Sequence, residues 1–511
     1  MGVRNYIKVD KQPGNLSMVS MKTIAVFLCL FPTLSCWSGE IHRTGIEIAS
    51  RGKKTETTKK PKPDRYNQKF KATIRKSGIP SHQLGFIVSD EKEILYQMNA
   101  DQDFIPASLA KIFIASALLD SLPPSFQFTT RLLAKNKIKK ATLKGNLYLQ
   151  GGGDPGFVSE SLWNLVNNLT RNNLKTIEGD LIVDDSRFDK ERKGPRLPQN
   201  SHSSYDAPVG ALSFNWNTAN IYLRPGEKTR DPLRITIDPS SLYFSSIDNK
   251  TRTVTKKRKK TISIQRRKEK QFRESLKITG SLPLHQPEML IYRNILFPAI
   301  WTGWNAINFL QQRDIQVTGQ IKRGLTPSNA RVLAEWQSRP LTEHIKLMMK
   351  YSNNFMVEML IKNMVVELEG KKGNLKDGLK IIKSHIHKIG IPSQEYRLIQ
   401  ASGLSRKNKI KPRHLLTVLK YWLHHPLQPE FESSFPLANE DGTLKKYFKK
   451  ADLKGRIHAK TGHLHGVTGL AGYLITRSGK KNIFVFLFNG SSSKVKIERL
   501  FQECAYIIWD S

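Results

Sequence analysis

The chain has 511 residues, enough for two to four domains with at least one sizeable core, and 39% of them are hydrophobic, as in a globular protein. Lys and Arg outnumber Asp and Glu by 83 to 43, and the resulting charge of +40 favours anionic partners such as nucleic acid, anionic lipid or acidic wall polymers. Cys29 and Cys36 lie in a predicted leader, which leaves only Cys504, predicted to be a small buried hydrophobe in a terminal helix. A disulfide framework is therefore excluded.

The N-terminal region is typical of an export signal. Lys22 precedes an apolar run over residues 23–34, and small residues follow it. A basic start, a short apolar stretch and small residues beyond are the parts of a secretory signal, whereas a membrane span needs about 20 apolar residues. We predict a leader over residues 1–36 that directs the chain to the bacterial periplasm or cell envelope, with membrane association if Cys36 is lipidated. The alternative is a buried N-terminal strand or helix.

A basic linker is predicted over residues 37–66, because the stretch 52–63 has no apolar period. Residues 67–127 then form the first piece of a large domain. Within it, Leu84–Val88 is typical of a buried strand and Ile94–Met98 of its hairpin partner. The helix predicted from Ser108 to Leu122 is apolar on every face and therefore belongs inside a core.

Residues 128–325 are predicted to form inserted, β-rich accessory domains. The evidence is a helix near Glu160–Asn172 among strand-like segments at Gly145–Gln150, Asp180–Asp184 and Asn220–Arg224. The stretch Lys250–Lys277 has thirteen basic and two acidic residues. It is interpreted as a mobile, solvated loop, with binding to an anionic wall polymer or membrane surface as the alternative.

Residues 326–511 are predicted to form the second piece of the large domain, with helices followed by strands. Helices are predicted at Leu341–Met364, Leu375–Ile389 and Pro412–Trp422. Two strong strands close the chain, at Gly469–Ile475 and Asn482–Phe488.

The start of the apolar helix carries the motif Ser-Leu-Ala-Lys, from Ser108 to Lys111. Residues three apart on a helix lie on one face, so a neutral amine of Lys111 can take the proton of the Ser108 hydroxyl and make it a nucleophile. The helix N-terminus adds free N–H groups where an oxyanion would form. The alternative is that Ser108 only caps the helix, and the same Ser-x-x-Lys spacing recurs at Ser478 and Ser493.

Two further motifs follow in order. Ser352-Asn353-Asn354 begins a helix, where a hydroxyl can pass a proton to a leaving amine and an amide can hold a substrate carbonyl. Lys460-Thr461-Gly462 precedes a glycine-rich strand and suits a substrate carboxylate. Taken singly, these are an ordinary N-cap and an ordinary strand entry.

The three motifs in this order resemble those of the class C low-molecular-mass penicillin-binding proteins, the D-alanyl-D-alanine carboxypeptidase/endopeptidase family. Most of residues 80–495 is similar to that family. The supporting stretches are residues 106–111, 151–155, 179–188, 211–215, 402–406, 441–444 and 459–464. At Gln400-Ala401 the chain departs from the family, which often has Asp-Gly there.

The resemblance implies an α+β fold of the serine β-lactamase/penicillin-binding-protein type. Its catalytic domain would be an antiparallel sheet between helices, built from residues 67–127 and 326–511, with the β-rich region inserted between them. The implied activity is cleavage of peptidoglycan stem peptides through an acyl-enzyme on Ser108, without a cofactor or metal. Penicillins and other β-lactams would be covalent inhibitors.

The resemblance also implies a role for each site residue. Ser108 is the nucleophile, Lys111 its base, and Ser352 the proton relay. Lys460 and Thr461 bind the terminal carboxylate side of the substrate, and Asn354 positions it. The N–H groups of Ser108 and His463 form the oxyanion hole, and Gly462 permits close approach of the ligand.

The alternatives are a β-lactamase and a non-enzymatic wall- or polyanion-binding protein on the same fold. Nucleic-acid binding rests on charge alone and is not expected for an exported chain. His458, His463 and His465 raise the question of a metal site, but no matching Cys or carboxylate spacing accompanies them, so none is predicted.

Overall fold

The structure, a computed structural model, describes residues 63–193, 201–448 and 451–511. Its α-helices are α1 (Pro63–Ser77), α2 (Lys111–Ser121), α3 (Ser159–Thr170), α4 (Pro298–Gln311), α5 (Leu341–Lys350), α6 (Asn354–Glu369), α7 (Leu375–Lys388), α8 (Pro412–Leu423), α9 (Gln428–Ser433) and α10 (Lys494–Trp509). The leader and most of the linker predicted over 37–66 lie outside the described residues. Helix α1 begins at Pro63, so the last residues of the predicted linker are helical.

The strands are β1 (Leu84–Ser89), β2 (Ile94–Met98), β3 (Thr129–Ala134), β4 (Ile138–Lys139), β5 (Thr142–Lys144), β6 (Leu147–Gln150), β7 (Thr176–Glu178), β8 (Leu181–Asp184), β9 (Thr218–Arg224), β10 (Arg234–Asp238), β11 (Phe244–Val254), β12 (Thr261–Lys268), β13 (Glu274–Pro283), β14 (Met289–Asn294), β15 (Gln316–Val317), β16 (Ile321–Arg323), β17 (Arg331–Gln337), β18 (Ile457–Leu464), β19 (Val467–Ile475) and β20 (Lys481–Asn489).

The main sheet has the order β18-β19-β20-β1-β2, and every neighbouring pair is antiparallel. Both of its faces are covered, which explains why β20 is apolar from Ile483 to Phe488. Ile483, Val485 and Leu487 pack into one core with α2, α5, α6 and α8. Phe484 and Phe486 pack on the opposite side with α1 and α10. The predicted α+β fold, an antiparallel sheet between helices, is confirmed.

The region between α2 and α5 contains the other sheets. A five-stranded sheet, β16-β8-β6-β3-β17, shares a core with α3 and α4. Two three-stranded sheets, β10-β9-β14 and β11-β13-β12, enclose a smaller core. Since β17 pairs with β3, we propose that the inserted region extends to Gln337 instead of ending at residue 325.

Two sequence interpretations are corrected here. The basic stretch Lys250–Lys277 is not a loop, because it forms much of β11, all of β12 and the start of β13. Its high charge concealed a two-residue alternation that buries Ile264 and Leu276. The single helix predicted over Leu341–Met364 is two helices, α5 and α6, with a break at Ser352, where φ is +55°.

The terminal helix α10 contains Cys504, which is fully buried as predicted. In the described ranges, no helix combines the length and the apolarity needed to cross a membrane.

Candidate active site

The Ser108 hydroxyl and the Lys111 amine are brought together by a short 3-10 helix over Ala107–Ala110 that leads into α2. A 3-10 helix has three residues per turn, so side chains three apart lie in line. The Nζ of Lys111 lies 2.9 Å from the Oγ of Ser108. Lys111 is completely buried and also donates to the Oδ1 of Asn354 at 2.8 Å and to the carbonyl of Ser402 at 2.5 Å. Ser108 is half-buried and accessible.

The second motif lies in the break between α5 and α6. Asn353 is the N-cap of α6 and accepts a hydrogen bond from the N–H of Met356 at 3.2 Å. Because Asn353 does the capping, Ser352 and Asn354 on either side of it are available to the site. The positive φ of Ser352, +55°, is a strained conformation for a serine and turns the chain between the two helices.

The third motif lies within β18, the edge strand of the main sheet. It precedes the glycine-rich strand β19, as predicted. The Nζ of Lys460 lies 2.9 Å from the Oγ of Ser352 and 2.8 Å from the carbonyl of Thr461. Lys460 is completely buried, and this burial lowers the pKa of its amine to about 7.

Glycines allow three backbone segments to meet beside Ser108. A Cβ on Gly462 would lie 2.8 Å from the carbonyl oxygen of Pro106. Gly403 has a φ of +88°, and a Cβ there would lie 2.0 Å from the carbonyl oxygen of Ala107. A side chain at either position would displace the segment that carries Ser108.

Gln400 is a buried polar residue behind Lys111, and the sequence showed it only as a departure from the family, not as part of the site. The side-chain amide of Gln400 donates to the Oγ of Ser402 and to the Oε1 of Glu358, the latter at 3.4 Å, and accepts from the N–H of Leu404 at 2.9 Å. These contacts shape the turn that aims the Ser402 carbonyl at Lys111. The signal that could have revealed this role is the position of Gln400, a polar residue just before residues 402–406, which are similar to the family.

A threonine partner for the third motif was also missed. The hydroxyl of Thr461 donates to that of Thr443 at 2.8 Å. Thr443 lies in a turn that begins at Asp441, and the carboxylate of Asp441 pairs with Lys350 at the end of α5. The turn thus connects the second and third motifs.

The histidines near the third motif do not form a metal site. His463 is exposed at the end of β18, and His458 lies 3.6 Å from Glu432. The backbone carbonyl of His465 accepts a hydrogen bond from the guanidinium of Arg406. Although His463 is exposed, partial desolvation of its ring and then the charge of Lys494 lower the pKa of its imidazole. In the part of the chain that the structure describes, no three His, Cys, Asp or Glu side chains are placed to hold a metal ion.

Comparison with known proteins identifies the family of this chain. The model of the D-Ala-D-Ala carboxypeptidase 3 (S13) family matches residues 66–502, which contain all three motifs. The chain belongs to the D-Ala-D-Ala carboxypeptidase 3 (S13) family. It is therefore a peptidase of the hydrolase class, and the predicted family is confirmed.

Two curated members of the S13 family show how far the similarity extends. The D-alanyl-D-alanine carboxypeptidase of Actinomadura sp. (strain R39) is 28% identical over 425 residues, which cover 80% of this chain and 78% of the relative. The D-alanyl-D-alanine carboxypeptidase DacB of Haemophilus influenzae is 28% identical over 421 residues, 80% of this chain and 86% of the relative.

A solved structure supports the fold. Penicillin binding protein 4 of Haemophilus influenzae superposes with a TM-score of 0.75 at 23% identity, covering 88% of this chain and all of the other. The same protein in complex with a β-lactam superposes with a TM-score of 0.71.

Proposed function

We propose that this S13-family chain is a serine DD-peptidase that cleaves peptidoglycan stem peptides through an acyl-enzyme on Ser108, and that penicillins acylate the same hydroxyl. The observation that carries the proposal is the 2.9 Å contact between the Nζ of Lys111 and the Oγ of Ser108. A hydroxyl with an adjacent amine base is an activated nucleophile.

In the acylation step, neutral Lys111 takes the hydroxyl proton as the Oγ of Ser108 bonds to the carbonyl carbon of the penultimate D-alanine. The N–H groups of Ser108 and His463 receive the developing oxyanion. The C–N bond then breaks as Ser352 gives its proton to the departing amine and receives in its place the proton that Lys111 took from Ser108, so both side chains return to their starting state. Lys460, 2.9 Å from Ser352, is placed to influence this relay.

In the second step, water attacks the Ser108 ester. The bond between the acyl carbon and Oγ breaks, the peptide leaves as a carboxylate, and the proton lost by water returns to Ser108. No cofactor is needed for either step, because proton transfer and a covalent ester supply the chemistry.

The residues that would position the substrate surround the Ser108 hydroxyl and come from the second and third motifs. The Oδ1 of Asn354 accepts a hydrogen bond from Lys111. Its amide nitrogen lies 3.3 Å from the carbonyl of Tyr205 and would be the group that contacts the substrate. Thr461 and the cation of Lys460 suit the terminal carboxylate. Gly462 leaves room for the ligand beside Pro106.

We further propose that the chain is exported and acts in the cell envelope, where its substrate lies. The proposal rests on the leader predicted over residues 1–36. We make a separate proposal for the basic stretch Lys250–Lys277, that it binds an anionic partner in the envelope. That proposal depends on the charges of the sheet β11-β13-β12.

The decisive experiment is labelling with a fluorescent penicillin, read by intact mass. The wild type should carry one adduct per chain and Ser108→Ala none. Ser478→Ala is the matched control, because Ser478 and Lys481 repeat the Ser-x-x-Lys spacing on the surface. Failure to label the wild type would favour the non-enzymatic wall-binding alternative, and rapid release of the adduct would favour a β-lactamase.

Substrate preference is then measured with two peptides. A peptide that ends in D-Ala-D-Ala reports carboxypeptidase activity by release of free D-alanine. A cross-linked stem-peptide dimer reports endopeptidase activity by its conversion to monomers. Ser108→Ala should abolish both.

A further inference from the structure

The outward face of the sheet β11-β13-β12 is strongly basic. Its central strand β13 buries Leu276, Ile278 and Leu282 in the core that it shares with β9. Alternate residues of a strand point to opposite faces, so Lys277 points outward. The strand register sets the other outward positions, which are Ser246, Asp248, Lys250, Arg252, Thr261, Ser263, Gln265, Arg267, Ser275, Thr279 and Ser281.

Four of these outward residues form a diagonal line of cations across the three strands. Arg252 and Lys250 are two residues apart on β11, or about 7 Å. Lys250 pairs with Thr279, so Lys277 is its diagonal neighbour. Lys277 pairs with Gln265, so Arg267 is the next diagonal neighbour, on β12. Diagonal neighbours across strands are roughly 7–8 Å apart, so the cations recur at a near-constant interval.

The β11–β12 turn extends this line with five consecutive cations, Lys256–Lys260, all exposed. Asp248, 3.7 Å from Lys250, is the one carboxylate among the outward positions. The two acidic residues of the stretch are engaged within the fold. Glu274 forms a buried pair with Arg266 at 3.2 Å, and Glu269 accepts from the hydroxyl of Ser275 at 2.6 Å.

The face is hydrophilic as well as basic. Six of its outward positions are serine or threonine, and none has a large apolar side chain. Proteins that settle on a membrane interface insert Trp, Phe or Leu beside their cations. The exposed apolar residues nearby lie off this face. Ile247 is paired with the core-facing Leu276, and Tyr292 lies on β14. Leu242 precedes β11, and Phe272, in the turn before β13, packs on Phe297.

We propose that this face binds an extended, hydrophilic anionic polymer whose charged groups recur along its backbone. The line of cations supplies the charge complementarity, and the hydroxyl groups supply neutral hydrogen bonds. The surface contains no residue of the acyl-enzyme machinery, so it would hold the chain on the envelope polymer while Ser108 acts separately.

The test uses inorganic polyphosphate as the probe and measures its affinity as a function of salt. The first variant replaces Lys250, Arg252, Arg267 and Lys277 by threonine, a residue that suits strands. The second replaces Lys256–Lys260 by serine and leaves every strand intact. The charge-matched control replaces the exposed Lys135, Lys137, Lys139 and Lys144 by threonine.

The first variant should bind polyphosphate at least tenfold more weakly, and the slope of log K against log salt should shrink by roughly 3 as about four contacts are lost. The second should also weaken binding, and the control should bind like the wild type. Equal weakening in the control, absence of wild-type binding at low salt, or binding only to phosphatidylglycerol vesicles would each overturn the proposal. Fluorescent-penicillin labelling of the same samples tests the Ser108 chemistry independently.

Discussion

The Nζ of Lys460 lies 2.9 Å from the Oγ of Ser352, although 108 positions separate the two residues in the chain. The contact joins the edge strand of the main sheet to the break between α5 and α6. Because Lys460 is completely buried and its pKa falls to about 7, its charge changes within the working range of pH.

The rate of penicillin acylation should depend on the charge of Lys460. Below pH 7 Lys460 is a cation that attracts the penicillin carboxylate, and above pH 7 it becomes neutral. The second-order rate constant should therefore fall above about pH 7 by up to tenfold per pH unit. Lys460→Gln should acylate slowly at pH 6 and lack this descending limb. Parallel pH profiles for the two proteins would contradict the assignment.

Stability should increase with pH because of the same residue. The pKa of Lys460 is about 7 when folded, against 10.5 for an ordinary lysine, so between these values the unfolded chain binds more protons. Its contribution to the free energy of unfolding is then lowest below pH 7 and rises towards pH 10.5 by roughly 1 kcal/mol per pH unit. Urea unfolding of wild type and Lys460→Met should show the variant's advantage shrinking from pH 7 to pH 9. The exposed Lys454→Met should show a constant difference.

Gly403→Ala should impair both stability and acylation. Its φ of +88° costs an alanine about 1–2 kcal/mol, and the added Cβ would lie 2.0 Å from the Ala107 carbonyl oxygen. Gly390→Ala is the matched control, because Gly390 has a φ of +90° and no atom within 4 Å of the added Cβ. Thermal unfolding should show the larger loss for Gly403→Ala, and only this variant should label slowly with penicillin. Equal labelling rates would show that the Ser108 segment does not depend on this contact.

Gln400→Ala should weaken the support of the Lys111 site. The change removes hydrogen bonds to Ser402, Leu404 and Glu358 in a buried region, at a cost of about 1–3 kcal/mol. It also frees the turn whose carbonyl accepts from Lys111, so penicillin acylation should slow. The exposed Gln394→Ala is the control. A destabilised variant that acylates at the wild-type rate would reduce Gln400 to a structural residue.

Much of the fold could be read from the sequence because local apolar patterns coincide with burial. Leu84–Val88, the strand at Asn482–Phe488 and the helices near Leu375 and Pro412 all lie where predicted. The sequence pattern gave a wrong prediction where high charge or a long helical stretch concealed a local feature. The outward cations of β11 and β12 hid a buried alternate face, and the single helix predicted over Leu341–Met364 missed the break at Ser352, where φ is positive.

By itself the sequence determined the chemical identity and order of the three motifs, because Ser-x-x-Lys, Ser-x-Asn and Lys-Thr-Gly are each short contiguous patterns. It could not assign which side chains meet, because contacts between residues hundreds of positions apart depend on how helices and strands pack. Only the tertiary structure placed Lys111 against Asn354 and the Ser402 carbonyl, and buried Lys460 against Ser352. Burial in turn lowered the pKa of Lys460, a property that arises from desolvation and not from the residue type.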